Sequence, residues 1–190
     1  ADDVLEPTAI EKTIGFFADP DIVKVCWPFT IIDRNGAPTG EFRFRRISSG
    51  NFRRRALKVG PASHYTPPHS GNFWRKSFLD QVLPVDVVDF RNVVDGYLFT
   101  FSPFFGSFRA VDEPLTHYRV HGSNISDRFT AAKRRDNWDI RARHLHAWLT
   151  ERGEKVSIDK WRANNTYYVK LDGITKALGC EWVLPYHQRT

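Results

Sequence analysis

Between Asp21 and Ile32 the chain runs through valine, isoleucine, phenylalanine and tryptophan with little polar relief. Side chains alternate between the two faces of a strand, so a run apolar on both faces belongs inside a sheet that is covered on both sides. Pro28 cannot donate to a sheet ladder, and the run therefore reads as a buried strand interrupted there. A chain of 190 residues with 41% hydrophobic and 26% charged residues has the apolar content to cover such a strand. Those values exclude the disordered class. No apolar stretch approaches the roughly 20 residues a membrane-spanning helix needs. Neither a secretory leader nor a disulfide framework is expected, since Cys26 and Cys180 are the whole cysteine complement. A reduced, cytoplasmic setting is the expectation.

Around that run the pattern alternates. Residues 5–18 read as a helix with Ile10, Ile14, Phe16 and Phe17 on one side, stopped by Asp19-Pro20. Asn35-Gly36 and Pro38-Thr39-Gly40 are turn signals that suit a hairpin. Ser48 to Ser70 shows little periodicity and reads as one long loop. Short helices are expected over Phe73–Val82 and Arg91–Phe101, and short strands over Phe108–Val111 and Leu115–Val120. Beyond Asn124 the pattern turns helical. Ser126 caps a first helix whose stripe is Trp138, Leu145, Trp148 and Leu149. Ser157 caps a second, with Ile158, Trp161, Tyr168, Leu171 and Leu178 on one face. His144 and His146 fall on different faces and read as surface residues.

The formal net charge of +6 is concentrated in one place, because residues 41–60 hold 7 Lys/Arg against 1 Asp/Glu. Arg43, Arg45, Arg46, Arg53, Arg54 and Arg55 alternate with Phe42, Phe44 and Phe52. Such a loop can meet a phosphate-bearing ligand, an anionic membrane surface or nucleic acid, or stay solvated. Nothing else in the chain resembles a nucleic-acid-binding module, and nucleic acid is not the expected partner.

Four constellations can carry chemistry. Asp2-Asp3 offers adjacent carboxylates to a hard cation, or favours the positive end of a following helix. Ser70-Gly71-Asn72 lets a ligand approach the backbone, or forms a turn and cap. Asp95 stands among Val93, Val94 and Tyr97, where partial desolvation suits a general base, although a helix-capping aspartate followed by Gly96 would look the same. His117 and His121 share a face if their segment is a strand, and could form a metal pair.

In order and spacing these pieces resemble a bacterial family-2 glycosyltransferase of the GT-A fold. Ala1-Asp2-Asp3-Val4-Leu5-Glu6-Pro7 resembles the stretch that closes the family's Asp-X-Asp metal motif, with Asp2 as its second carboxylate. His69-Ser70-Gly71-Asn72-Phe73-Trp74-Arg75-Lys76 resembles the donor-sugar and acceptor loop. Asp95-Gly96-Tyr97-Leu98 occupies the place of the acid–Asp motif, with Val94 where the family has an acid. Pro114 to Asn124, containing Tyr118-Arg119-Val120-His121, closely resembles the closing Tyr-Arg-X-His signature.

The resemblance covers residues 1–124 and implies an α/β, Rossmann-like fold with a mixed central sheet. Residues 125–190 would be an added helical extension. It implies inverting transfer of a sugar from a nucleotide-sugar donor to a glycan or lipid-linked acceptor. In that scheme Asp95 is the catalytic base, while Asp2 and His121 are ligands of a divalent cation, Mn2+ or Mg2+. Ser70, Gly71, Asn72, Trp74 and Arg119 line the donor or acceptor. Separately from the resemblance, the arginine-rich loop with Arg53, Arg54 and Arg55 offers a place for an anionic, lipid-linked acceptor to approach, with peripheral membrane contact. The resemblance further implies that the nucleotide-binding strands precede Ala1. The alternative is a non-catalytic module of the same fold.

Overall fold

The structure, a computed structural model, describes residues 2–91, 93–122, 124, 129–180 and 182. It is mixed α and β. The chain divides into two compact units that interleave in sequence. The first comprises residues 1–51, 64–83 and 104–124, and the second residues 52–63, 84–103 and 125–190. Among the described residues no helix is long and apolar enough to cross a membrane.

Among the described residues, the first unit carries all the strands. β1 (Val4–Leu5), β3 (Phe29–Ile32), β4 (Pro38–Arg43) and β7 (Thr116–Arg119) form one sheet in the order β1-β7-β3-β4. β2 (Ile22–Cys26), β5 (Asn72–Trp74) and β6 (Ser107–Ala110) form a second in the order β5-β2-β6. Both sheets are mixed, since β3–β7 and β2–β6 pair parallel and the other pairs are antiparallel. The apolar run of the sequence thus becomes two central strands, one in each sheet, broken at Pro28 as expected. A core cluster of Ala9, Trp27, Phe29 and Leu115 is flanked by Phe44, Phe73, Val111 and Tyr118. The hairpin β3–β4 turns at Asp33, whose carboxylate accepts from the Asn35 and Ala37 amides at 2.8 and 2.9 Å. Backbone hydrogen bonds, that of Ala37 foremost, hold its carboxyl below the usual range.

Three expectations for this unit change. The helix over residues 5–18 is α1 (Ala9–Ile14) and a 3-10 turn, because Val4 and Leu5 are taken by pairing with β7. Ala9 and Thr13 face inward while Ile10 and Ile14 are exposed. Phe73 opens no helix: Asn72–Trp74 pair with Cys26–Lys24, and α3 (Lys76–Val82) begins after them. Pro38-Thr39-Gly40 lies inside β4, an edge strand whose first residue tolerates a proline.

One charged residue stands inside the apolar run. Lys24 is 0% exposed, with its ammonium donating to Thr66 Oγ1 at 2.9 Å and lying 4.2 Å from the centre of the Phe108 ring. Burial lowers its pKa to about 8, against the opposing charge interaction with Cys26.

The second unit is helical: α2 (Arg53–Val59), α4 (Val87–Phe90), α5 (Val94–Phe101), α6 (Ala131–Thr150), α7 (Ile158–Asn164) and α8 (Thr166–Leu178). Helix α2 replaces part of the long loop expected between Ser48 and Ser70, and the segment expected as one helix over Arg91–Phe101 starts only at Val94. Ser126, expected as a cap, lies outside the described residues, and α6 is capped by Thr130 accepting from the Lys133 amide. Ser157 caps α7 as expected. The second C-terminal helix is two, because Asn165 breaks it and its side chain caps α8. That same side chain donates to the carbonyls of Val59 and Pro61 at 2.8 and 2.7 Å. The indoles of Trp138 and Trp161 donate to the carbonyls of Pro61 and Leu57. Residues 57–61 are thereby clamped by three buried side chains. The stripe Trp138, Leu145 and Leu149 is buried as expected, while Leu178 is exposed.

Candidate functional site

Pairing of Val4 with His117 and Leu5 with Thr116 lays the start of the chain along β7. Side chains alternate on an extended backbone, so Asp2 and Asp3 point to opposite sides. Asp3 is spent on the scaffold: its carboxylate accepts from the Arg119 amide at 3.0 Å and from Ser70 Oγ at 2.6 Å. Asp2 instead meets His121, Oδ2 to Nε2 at 2.7 Å, with side chains 47% and 30% exposed. An accessible carboxylate and imidazole in contact form an oxygen–nitrogen donor pair facing solvent. The two residues singled out as ligands, Asp2 and His121, are therefore neighbours although they lie far apart in the sequence.

His117 does not join them. Its Nε2 lies 2.9 Å from Glu6 Oε1 and its Nδ1 2.6 Å from Thr30 Oγ1. Each histidine has its own acid, and the two do not pair with each other. Glu6 and Thr30 were not legible as partners, although the spacing of Asp2 and Glu6 mirrors that of His117 and His121 in an antiparallel pair. Arg119 has its guanidinium on backbone: Nε donates to the Asp2 carbonyl at 3.0 Å, and Nη1 to the carbonyls of Asp33 and Arg34, both at 3.2 Å. It ties the chain start to the β3–β4 turn.

The Ser70–Trp74 segment follows the same scaffold. Ser70 holds Asp3, and its carbonyl accepts from Thr116 Oγ1 at 2.8 Å. A Cβ on Gly71 would sit 2.3 Å from Phe29 Cε1, so the close approach that needs a glycine here is that of a core ring. Buried Asn72 donates to the carbonyls of Pro67 and Pro68, at 3.1 and 2.6 Å, and accepts from Thr66 Oγ1 at 3.2 Å. Trp74 is half-buried against Phe78, ring centres 5.5 Å apart.

Asp95 belongs to the second unit. It lies in the first turn of α5, where a carboxylate suits the helix dipole, and its Oδ1 accepts from the Gly96 amide at 2.7 Å. Val93, not Asp95, occupies the cap position. Burial raises the phenol pKa of its neighbour Tyr97. Arg53, Arg54 and Arg55 are not in a loop but on the exposed first turn of α2, and Arg53 donates to Glu154 at 2.6 Å. Three cations there oppose the helix dipole, which this ion pair offsets in part.

His144 is a correction to the surface reading. It is half-buried, with Nε2 2.6 Å from Asp89 Oδ2 and its ring against Phe90. Asp86, Asp89 and His144 are the one group of three metal-capable side chains among the described residues. Hydrogen bonding accounts for each member, since Asp86 caps α4 by accepting from the Val88 amide at 2.8 Å. The Asp2–His121 pair has no third such ligand beside it among the described residues.

No family model matches the chain. An uncharacterized glycosyltransferase of Nostoc sp. (strain PCC 7120) is 31% identical to it over 125 residues, 65% of this chain. The chain spans 38% of the length of that curated relative. Over about two thirds of its length, then, this chain is similar to a glycosyltransferase.

Proposed function

We propose that the chain is part of a glycosyltransferase that moves a sugar from a nucleotide-sugar donor to an acceptor hydroxyl with inversion. The observation that carries this reading is the contact between Asp2 and His121, two residues that the family resemblance assigns to one cation. Similarity to a glycosyltransferase supports it from a separate direction.

Asp95 takes the proton of the acceptor hydroxyl as its oxygen attacks the anomeric carbon. The bond from that carbon to the diphosphate oxygen breaks, and the nucleoside diphosphate leaves with the bonding electrons. Asp2 and His121 would hold a divalent cation, for which an oxygen–nitrogen donor set accessible to solvent is chemically suited, Mn2+ as well as Mg2+. Such a cation supplies positive charge against the departing diphosphate. Arg119 and Asp3 keep the chain start in place for that role. The acceptor is a glycan or a lipid-linked sugar in cell-surface polysaccharide synthesis at the cytoplasmic face of a membrane, with Arg54 and Arg55 presented to its anionic groups.

The test is a panel of nucleotide sugars, including UDP-glucose and GDP-mannose, incubated with the whole protein and Mn2+. Hydrolysis or transfer should appear for one donor, fall at least about 100-fold in Asp95→Asn, and require more Mn2+ in His121→Ala. Full activity in Asp95→Asn sinks the assignment of the base.

A further inference from the structure

Gly96 stands near the start of α5, where glycine is a poor helix former. The neighbouring helix explains it. A Cβ on Gly96 would lie 3.3 Å from Arg141 Cδ, 3.5 Å from its Nη1 and 3.7 Å from its Nε. The arginine of α6 therefore crosses α5 at Gly96, next in the chain to Asp95. Arg141 is half-buried: burial lowers the pKa of its guanidinium, and the nearby groups Tyr167, foremost, and Asp95 work against that shift. A guanidinium packed between two helices is favoured by a negative neighbour. Its contact with the Asn137 carbonyl on its own helix is long, Nε to O 3.4 Å. On α4, Asp89 is engaged with His144. Asp95 is the carboxylate that acts on it.

We propose that Arg141 is a positioning residue for Asp95, fixing the orientation of its carboxylate through their opposed charges. This rests on reading Asp95 as the base. It gives residues 131–150, which the family resemblance leaves as an added extension, a part in the candidate active site. A guanidinium suits the place, because its Nη1 and Nε approach a residue that carries no side chain.

The Gly96 amide, which donates to Asp95 Oδ1, reports that orientation. In amide spectra of the full chain, Arg141→Met should move the Gly96 proton upfield and speed its exchange with water about tenfold, the factor expected for one lost hydrogen bond to a charged group. Arg141→Lys, which keeps the charge, should restore most of both. An unchanged Gly96 amide in a folded Arg141→Met protein overturns the proposal. If Arg141→Met does not fold, Asp95→Asn decides through the Nε–Hε signal of Arg141: a shift supports the pairing, and an unmoved signal overturns it. Sugar transfer retained by Asp95→Asn would remove the base assignment and leave these spectra as they are, so the two failures are told apart.

Discussion

The sheet unit and the helical unit solve the burial of polar groups in opposite ways. In the sheet unit the polar partners are neighbours across strands. Asp2 meets His121, Glu6 meets His117, and Asp3 accepts from the Arg119 amide, all set by the register of β1 on β7. They remain partly exposed. The helical unit has partly exposed pairs too, Asp89 with His144 and Arg53 with Glu154, but its buried polar side chains are single donors sent to distant carbonyls: Trp138 to Pro61, Trp161 to Leu57, Asn165 to Val59 and Pro61. Residues whose contacts solvent can enter are available for chemistry, and residues whose contacts exclude it are available only for holding the fold. The candidate ligand pair belongs to the first kind.

The largest effect should come from breaking the clamp. Trp161→Ala removes a fully buried indole and leaves the Leu57 carbonyl without its donor. A loss of about 4 kcal/mol is expected, from the cavity and the orphaned acceptor together. Denaturant unfolding followed by helical circular dichroism would measure it. A loss under about 1 kcal/mol would mean that the helical unit does not hang on this residue.

Legibility from sequence follows the same division. Alternation and turn signals put the apolar run, its break at Pro28 and the hairpin within reach, whereas the association of Asp2 with His121 came only as an implication of the family resemblance. The break at Asn165 was not within reach, because the residue looks like any polar helix position until Val59 and Pro61 are seen beneath it. Arg53–Arg55 were misread for a related reason: an irregular, basic stretch shows no helical face, and Ala56 alone is buried in α2. Phe73 and Trp74 carried an apolar pattern compatible with either helix or strand, which pairing with β2 decides. His144 could not be matched to Asp89 without the crossing of helices.

Lys24 inverts the sheet unit's habit and gives the next effect in size, with the opposite sign. Its pKa falls from 10.5 to about 8 on burial, so the folded protein binds its proton less tightly than the unfolded chain does. Stability should therefore rise as pH increases from about 8 to 10.5, and below pH 8 the cost of the buried charge is constant. The shift corresponds to about 3 kcal/mol at pH 7. Lys24→Met should recover part of it, about 2 kcal/mol after loss of the Thr66 hydrogen bond and the Phe108 ring contact, and should flatten the alkaline rise. Denaturant midpoints at pH 7 and pH 10 would show both. A destabilised Lys24→Met protein with the alkaline rise intact would mean that the ammonium is solvated and the contrast between the units is weaker than drawn.

The smallest effect tests whether a helical contact can serve chemistry as well as packing. Alanine in place of a helical glycine normally gains about 1 kcal/mol. At Gly96 the new methyl would crowd Arg141 Cδ at 3.3 Å, so Gly96→Ala alone should change stability by less than about 0.5 kcal/mol. In an Arg141→Ala background the crowding is gone, and the same change should stabilise by about 1 kcal/mol. The coupling between the two substitutions, read from thermal or denaturant melts of the four proteins, isolates the crossing of Arg141 over Gly96 from the propensity of either residue. Equal gains in both backgrounds would show that the arginine does not lie there. A clear coupling would set Asp95 beside a side chain anchored in α6, and the helical unit would then contribute a functional contact of its own.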